Sequence, residues 1–359
     1  MRFTEKNTSL TWTLFGALAS GSIVFALSYF LNDISLRMMM VLVAACLAGA
    51  LITQFVFSIL KCKSFRLRIW LAFFTFFSIG VILLFSKWKY VSDRGGEVRQ
   101  EPFHIAGNLY YVGTKEMSSF LLTDAKGHIL IDGGYPGNVD MIIKNIGLLG
   151  FRITDVKVLL NSHAHIDHAG GLAELQKASG AQLWVSEPDA ELIESGGAGK
   201  RNLWLMNFLI YSGLAKYPVP HIDHKFPDGT IIRLGEIELS AHITPGHTPG
   251  NTTWAIPITD GERKLLAVDA GSLSLIPSSL FGEKYDGRLR SEFLQSFEKL
   301  RKIPADLFLA PHASFFKMAD KLKLRKFTKD PASPFIDRKG YIQYIDKAEK
   351  KFRKQINEN

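Results

Sequence analysis

The sequence predicts an α/β domain preceded by a membrane region of three transmembrane helices. Three observations predict it. Residues 1–91 contain three long apolar runs. From Phe103 onward, short apolar runs of strand character alternate with helical stretches. Between one such strand and helix, His163-Ala164-His165-Ile166-Asp167-His168 packs four metal-ligand side chains into six residues.

The apolar runs span roughly Leu10 to Leu31, Met38 to Leu60 and Ile69 to Phe85. The first two are long enough to cross a bilayer core, and the third is at the short end of the usual range of about 17–25 residues. The first is too long for a typical signal-peptide core, and two spans would remain after its removal. Residues 1–95 hold ten Lys/Arg against three acids, so +7 of the chain's +9 lies there and positions 96–359 carry only +2. A near-neutral working domain argues against nucleic-acid binding. With the N-terminus inside, Arg2, Lys6, Lys61, Lys63, Arg66 and Arg68 face the cytoplasm, against Arg37, Lys87, Lys89, Arg94 and Arg99 outside. Six against five favours a C-terminal domain on the outer side. Cys46 and Cys62 are the only cysteines, so there is no disulfide framework and no cysteine ligand near the histidine turn.

Residues 92–100, polar and containing Gly95-Gly96, read as a linker into a domain over 101–359. Strands are expected at Asn108–Val112, Ser118–Leu122 and His128–Ile131, the last ending in Asp132-Gly133-Gly134. A helix over Val139–Leu148 follows, then a strand, Val156–Leu160, that leads into the histidine turn. Ala169-Gly170-Gly171 opens a helix that ends near Gly180; Gln182–Val185 is a strand, and Asp189–Ile193 is helical. Residues 196–220 carry large apolar groups and fit a core helix, a lid or a membrane-dipping element. His221-Ile222-Asp223-His224 imitates the histidine turn but lacks a glycine-led helix behind it, and reads as a surface strand entry. Strands follow at Ile237–Ile243, Thr252–Ile256 and Leu265–Val268, with helices at about Glu292–Arg301 and Gly340–Ile356.

In extended backbone, residues two apart point the same way, so His163 and His165 can share one ion. Asp167 and His168 follow where the chain bends and can face a second. His247 and His312 also end apolar runs beside proline or glycine, unlike His104, His128, His221, His224 and His242. Two sets follow: His163, His165 and His247 for one ion, and Asp167, His168 and His312 for the other. Imidazole and carboxylate suit zinc, and three protein ligands per ion leave room for water, as catalytic zinc does. Asp132, at a strand end, is a carboxylate placed to reach the same turn.

His163 to His168, with Asp132-Gly133-Gly134, Pro245-Gly246-His247-Thr248 and His312, resembles the metallo-β-lactamase fold superfamily. Gly107-Asn108-Leu109-Tyr110-Tyr111-Val112-Gly113, Leu172-Ala173-Glu174-Leu175, Ala241 to Gly250 and Ser333-Pro334-Phe335-Ile336-Asp337 resemble its third subclass of zinc-dependent β-lactamases. The likeness runs over almost all of 101–359 and covers none of 1–95. It implies a four-layer αββα sandwich holding two Zn²⁺ ions in the ligand sets above. It also implies attack of a metal-held hydroxide on a β-lactam carbonyl. Asp167 would orient that hydroxide, and Asp132 would support the metal turn by hydrogen bonding to it. Ser272 falls where other members place a cysteine ligand, and Ser274 matches a serine that binds the substrate carboxylate.

A rival remains within the fold. Leu265-Leu266-Ala267-Val268-Asp269-Ala270 resembles the strand of lactonases and glyoxalases whose aspartate bridges both zincs, which implies a lactone or thioester substrate. A catalytically inactive membrane receptor or scaffold would lack ligands, yet all six are present. The implied partners are a small-molecule substrate and, through the N-terminal helices, membrane lipid. Because β-lactams act outside the cytoplasmic membrane, the resemblance places the domain on the periplasmic or extracellular face of that membrane.

Overall fold

The computed structural model describes residues 96, 98–199, 207, 216–274 and 287–357, all in one compact unit within Asp93–Asn359. The three transmembrane helices expected in 1–91 and most of 196–220 lie outside the described residues. Among the described residues, no helix is long and apolar enough to cross a membrane.

Two mixed sheets form the centre. The first has seven strands in sequence order: β1 (Phe103–Ala106), β2 (Leu109–Tyr111), β3 (Phe120–Leu122), β4 (His128–Ile131), β5 (Val156–Leu160), β6 (Gln182–Ser186) and β7 (His224–Phe226). β1 to β4 form an antiparallel meander, and β4 to β7 pair in parallel through helical crossovers. The second sheet runs β12-β11-β10-β9-β8, built from β8 (Ile231–Leu234), β9 (Ile237–Ile243), β10 (Thr252–Asp260), β11 (Arg263–Asp269) and β12 (Leu307–Leu309). Only its β11–β12 pair is parallel.

Helices cover both outer faces. On the first sheet lie α1 (Val139–Leu148), α2 (Ile166–Ala169), α3 (Leu172–Ser179) and α4 (Ala190–Glu194). Val139, Ile142 and Ile146 of α1 and Leu172 and Leu175 of α3 pack on Leu121, Leu130, Leu159 and Leu183. The second sheet carries α5 (Gly287–Arg301) and α7 (Arg338–Asn357), with α6 (Met318–Arg325) between them in sequence. Between the sheets, Leu109, Phe120, Ile129, Ile131 and Leu160 meet Leu239, Trp254, Ile256 and Ile258. Alternation along each strand supplies one apolar face to each interior, and the result is an αββα sandwich.

The expected strands and helices recur with shifted ends. β10 extends four residues beyond its apolar run and β11 three, two before it and one after, as a hairpin closed at Gly261. The run expected from Ser118 becomes regular strand at Phe120: Ser119 O still accepts from Val112 N–H (2.9 Å), while Ser118 N–H donates to Pro311 O (2.9 Å) in the His312 loop. α6 was not expected: its sequence Met-Ala-Asp-Lys-Leu-Lys-Leu-Arg shows mainly charge, and the helix is held by burial of Met318 and Lys321.

Candidate metal centre

Every strand that leads into the centre ends at the same edge of the sandwich. β4 and β5 run in register, Ile131 opposite Leu160, so Asp132 arrives beside Ser162. In the second sheet, Thr252 pairs with Ile243 and Asp269 with Leu309, which brings the His247 loop, the 270–274 segment and the His312 loop to that edge. Thr252 N–H donates to Ser162 O (2.7 Å), joining the two sheets there.

The histidine turn is tighter than its sequence suggests. His165 remains extended (φ −73°, ψ 153°), and the next four residues form α2, so Asp167 and His168 project from a helical turn rather than a simple bend. Gly170 and Gly171 then pass against the 132–134 turn, where a β-carbon at Gly171 would stand 2.3 Å from Gly133 O. Asp132 itself adopts φ 64°, a left-handed conformation that a side chain disfavours. Its buried carboxylate offsets that cost by accepting from Ser162 N–H (2.6 Å), Ser162 Oγ–H (2.8 Å) and His168 Nδ1 (3.0 Å).

Five of the six expected ligands fall into two groups of mutually close donor atoms, His163/His165/His247 and His163/Asp167/His168. The sixth, His312, places Nε2 3.3 Å from His168 Nε2 and 3.5 Å from Asp167 Oδ2. The far nitrogens set the tautomers. Ser274 O accepts from His247 Nδ1–H at 2.7 Å. Ser162 donates its hydroxyl proton to Asp132, so it accepts from His163 Nδ1–H at 3.0 Å. Each ring therefore presents a bare Nε2, and these two lone pairs face each other at 3.1 Å. His165 adds Nδ1 at 3.0 Å from the same His247 nitrogen. Lone pairs so close need a cation beside them, and the donor set fits a divalent metal such as zinc.

Electrostatics point the same way. Burial, reinforced by the neighbouring imidazoles, pushes His163 and His247 well below the usual histidine range. Burial likewise lowers His165, to about 4. All three are thus neutral, in the ligand form, at neutral pH. Burial would lower His168 too, but the Asp167 and Asp132 carboxylates overcome it and raise this imidazole to about 10 in the ion-free chain. Despite burial, His168 and His312 hold Asp167 far below the ordinary carboxylate range.

Ser274 lies at the rim, its Oγ 3.2 Å from His247 Nδ1. Ser272 is buried, with its hydroxyl 3.0 Å from Ser274 Oγ and its N–H donating to Asn251 Oδ1 at 3.0 Å. Asp269 ends β11 outside both donor groups. It is 1% exposed, and neither carboxylate oxygen has a hydrogen-bond partner. Burial, with Asp132 nearby, pushes its pKa well above the usual value. His221 is exposed at the entry to edge strand β7, away from the centre.

Sequence reasoning missed two supports. One is Ser162, described above. The other is Asp189, buried and accepting from Ala164 N–H (3.0 Å), Thr248 Oγ1–H (2.7 Å) and Gly250 N–H (2.6 Å), which ties the histidine turn to the His247 loop. It precedes α4 as an ordinary cap would, yet makes no cap bond. Nothing local distinguishes it. Tyr217 adds a bond from its hydroxyl to Ala164 O (2.9 Å).

The chain is similar to several known proteins. A subclass B3 metallo-beta-lactamase of Bradyrhizobium japonicum superposes with a TM-score of 0.67 at 32% identity, covering 74% of this chain and 97% of that one. Hydroxyacylglutathione hydrolase GloC of Haemophilus influenzae is 30% identical over 140 residues, 37% of this chain and 57% of the relative. The N-acyl homoserine lactonase AttM of Rhizobium radiobacter is 25% identical over 182 residues, 42% of this chain and 63% of the relative. The chain thus spans less than two thirds of either curated relative. Residues 115–312 match the family model described as the metallo-beta-lactamase superfamily, and with the sandwich and the histidine centre on its edge, the chain belongs to that superfamily.

Proposed function

We propose that this chain is a membrane-anchored dinuclear zinc hydrolase that opens the β-lactam ring, with His163, His165 and His247 holding one ion and Asp167, His168 and His312 the other. Zinc bound in such sites polarises a carbonyl oxygen and lowers the pKa of its water to about 7. The chain's own groups supply the rest. Asp167, ionised and with Oδ2 3.3 Å from His168 Nε2, stands where it can orient the attacking water. As the C–N bond breaks, the ring nitrogen must gain a proton, and the attacking water, whose hydroxyl goes to the carbonyl carbon, supplies it. Ser274 Oγ, braced by the Ser272 hydroxyl, is positioned to donate to a substrate carboxylate.

The observation that carries this reading is the make-up of the donor groups. They form from His163, His165, Asp167, His168 and His247 without Asp269, while Ser272 and Ser274 occupy the 270–274 segment beside His247. Similarity to a subclass B3 enzyme over nearly its whole length supports it. One observation favours the second reading, a lactonase or thioester hydrolase: the Asp269 carboxylate is buried, unpartnered and within electrostatic range of His168. Fold alone does not decide substrate. Full-length protein assayed against a carbapenem and an acyl-homoserine lactone does: turnover of the lactone without the β-lactam overturns the first reading. An inactive scaffold predicts fewer than one bound zinc per chain.

The N-terminal apolar runs support a multi-pass anchor in the cytoplasmic membrane, with the hydrolase domain on its outer face. A C-terminal reporter active only in the cytoplasm would refute that orientation.

A further inference from the structure

Three of the metal-facing imidazoles have their far nitrogen tied to a fixed partner: Ser162 for His163, Asp132 for His168 and the Ser274 carbonyl for His247. The corresponding group at His312 is Glu116, whose Oε1 lies 3.5 Å from His312 Nδ1. That is the opposite side of the ring from Asp167 and His168, which face Nε2. Glu116 is in neither donor group.

The loop that carries Glu116 is built against the loop that carries His312. Ala313 N–H donates to Glu116 O (2.8 Å), Met117 pairs with His312 as an antiparallel bridge, and Ser118 N–H reaches Pro311 O. Thr114 Oγ1 accepts from the Glu116 and Met117 amides (3.2 and 2.8 Å), which stiffens the loop from within. The Ser314 hydroxyl donates to Glu116 Oε1, so the carboxylate is aimed from two directions. Phe315 lies 4.7 Å from the imidazole, centroid to centroid, and supports the ring from its side. The Glu116 loop joins β2 to β3 of the first sheet, whereas His312 follows β12 of the second. A ligand delivered by one sheet is therefore steered by an acid from the other.

We propose that Glu116 is the positioning residue for His312: its carboxylate accepts from Nδ1–H, holds Nε2 toward the second ion and strengthens that nitrogen as a donor. The proposal rests on the two-ion reading above.

The test uses the full chain, stripped of metal and titrated with zinc by calorimetry and with cobalt by visible absorption. Wild type is expected to take up two ions. Glu116→Gln is expected to bind one with unchanged affinity and the other at least ten-fold more weakly, with an altered cobalt spectrum for that ion alone. Glu116→Asp should recover part of the loss, and melting temperature should stay near wild type. Wild-type affinities and spectrum in Glu116→Gln would overturn the proposal, as would equal weakening of both ions together with a lower melting temperature. A wild-type chain that binds a single ion fails the two-ion reading, and this inference falls with it.

Discussion

Asp132 Oδ2 lies 3.0 Å from His168 Nδ1 and 2.8 Å from Ser162 Oγ, whose hydroxyl in turn holds His163. One carboxylate oxygen thus orients a ligand of each expected ion. Asp132→Ala is expected to weaken metal binding at both sites by about 10–100-fold. Competition against a chelator measures this. Loss confined to one ion would show that the two arms act separately.

Asp189 gathers three buried donors, and its removal leaves each without an acceptor. At about 1–3 kcal/mol for each unmet donor, Asp189→Ala is expected to destabilise the domain by about 3 kcal/mol or more. Urea denaturation reads this directly. A change below about 1 kcal/mol would mean that water replaces the carboxylate.

Asp269 gives a signed pH effect. Its folded pKa is raised by burial, so the metal-free fold holds the proton more tightly than the unfolded chain does. That contribution is fully present below the unfolded value of about 4 and is lost as pH rises through the folded pKa. Asp269→Asn cannot ionise. In metal-free protein its melting temperature, relative to wild type, should therefore rise as pH is raised from about 4 to 8. A difference independent of pH would show that Asp269 is not a buried acid in solution.

Lys321 braces the β12 edge of the second sheet, where Leu307 also bridges to Ile336. Its Nζ donates to Phe308 O (3.3 Å) and pairs with Asp337 (3.0 Å), inside a box formed by the rings of Phe308, Phe316 and Phe335. Asp337 meanwhile accepts from Gly340 N–H at the start of α7. Lys321→Met keeps the volume but breaks a largely buried pair, at an expected cost of about 3 kcal/mol. Adding Asp337→Asn should recover part of it, and thermal melts of the single and double variants measure the coupling.

The ligands were legible in the sequence because each sits at a recognisable local junction, where an apolar run meets glycine or proline. The spacing of His163 and His165 follows from strand geometry, and His247 and His312 from the same signal repeated. Of the groups that aim the ligands, Asp132 was legible at its strand end, whereas Asp189 and Glu116 were not. Asp189 acts on residues 25 to 61 positions away, and Glu116 on one almost 200 positions away. Their chemistry exists only after the sheets meet, and neither has an unusual neighbourhood in the chain. α6 was missed for a different reason, since its buried lysine reads as surface until the three phenylalanines surround it.

His163, His165, Asp167 and His168 follow β5 of the first sheet, while His247 and His312 follow β9 and β12 of the second. Any ion held between them is a cross-link across the open end of the sandwich. Metal supply then becomes a mechanical variable: at a free concentration 100 times its dissociation constant, a single ion adds about 2.7 kcal/mol to the folded state. Starving the protein of metal should loosen that end first, exposing the 244–252 and 310–315 loops to protease while the far hairpin turns stay closed.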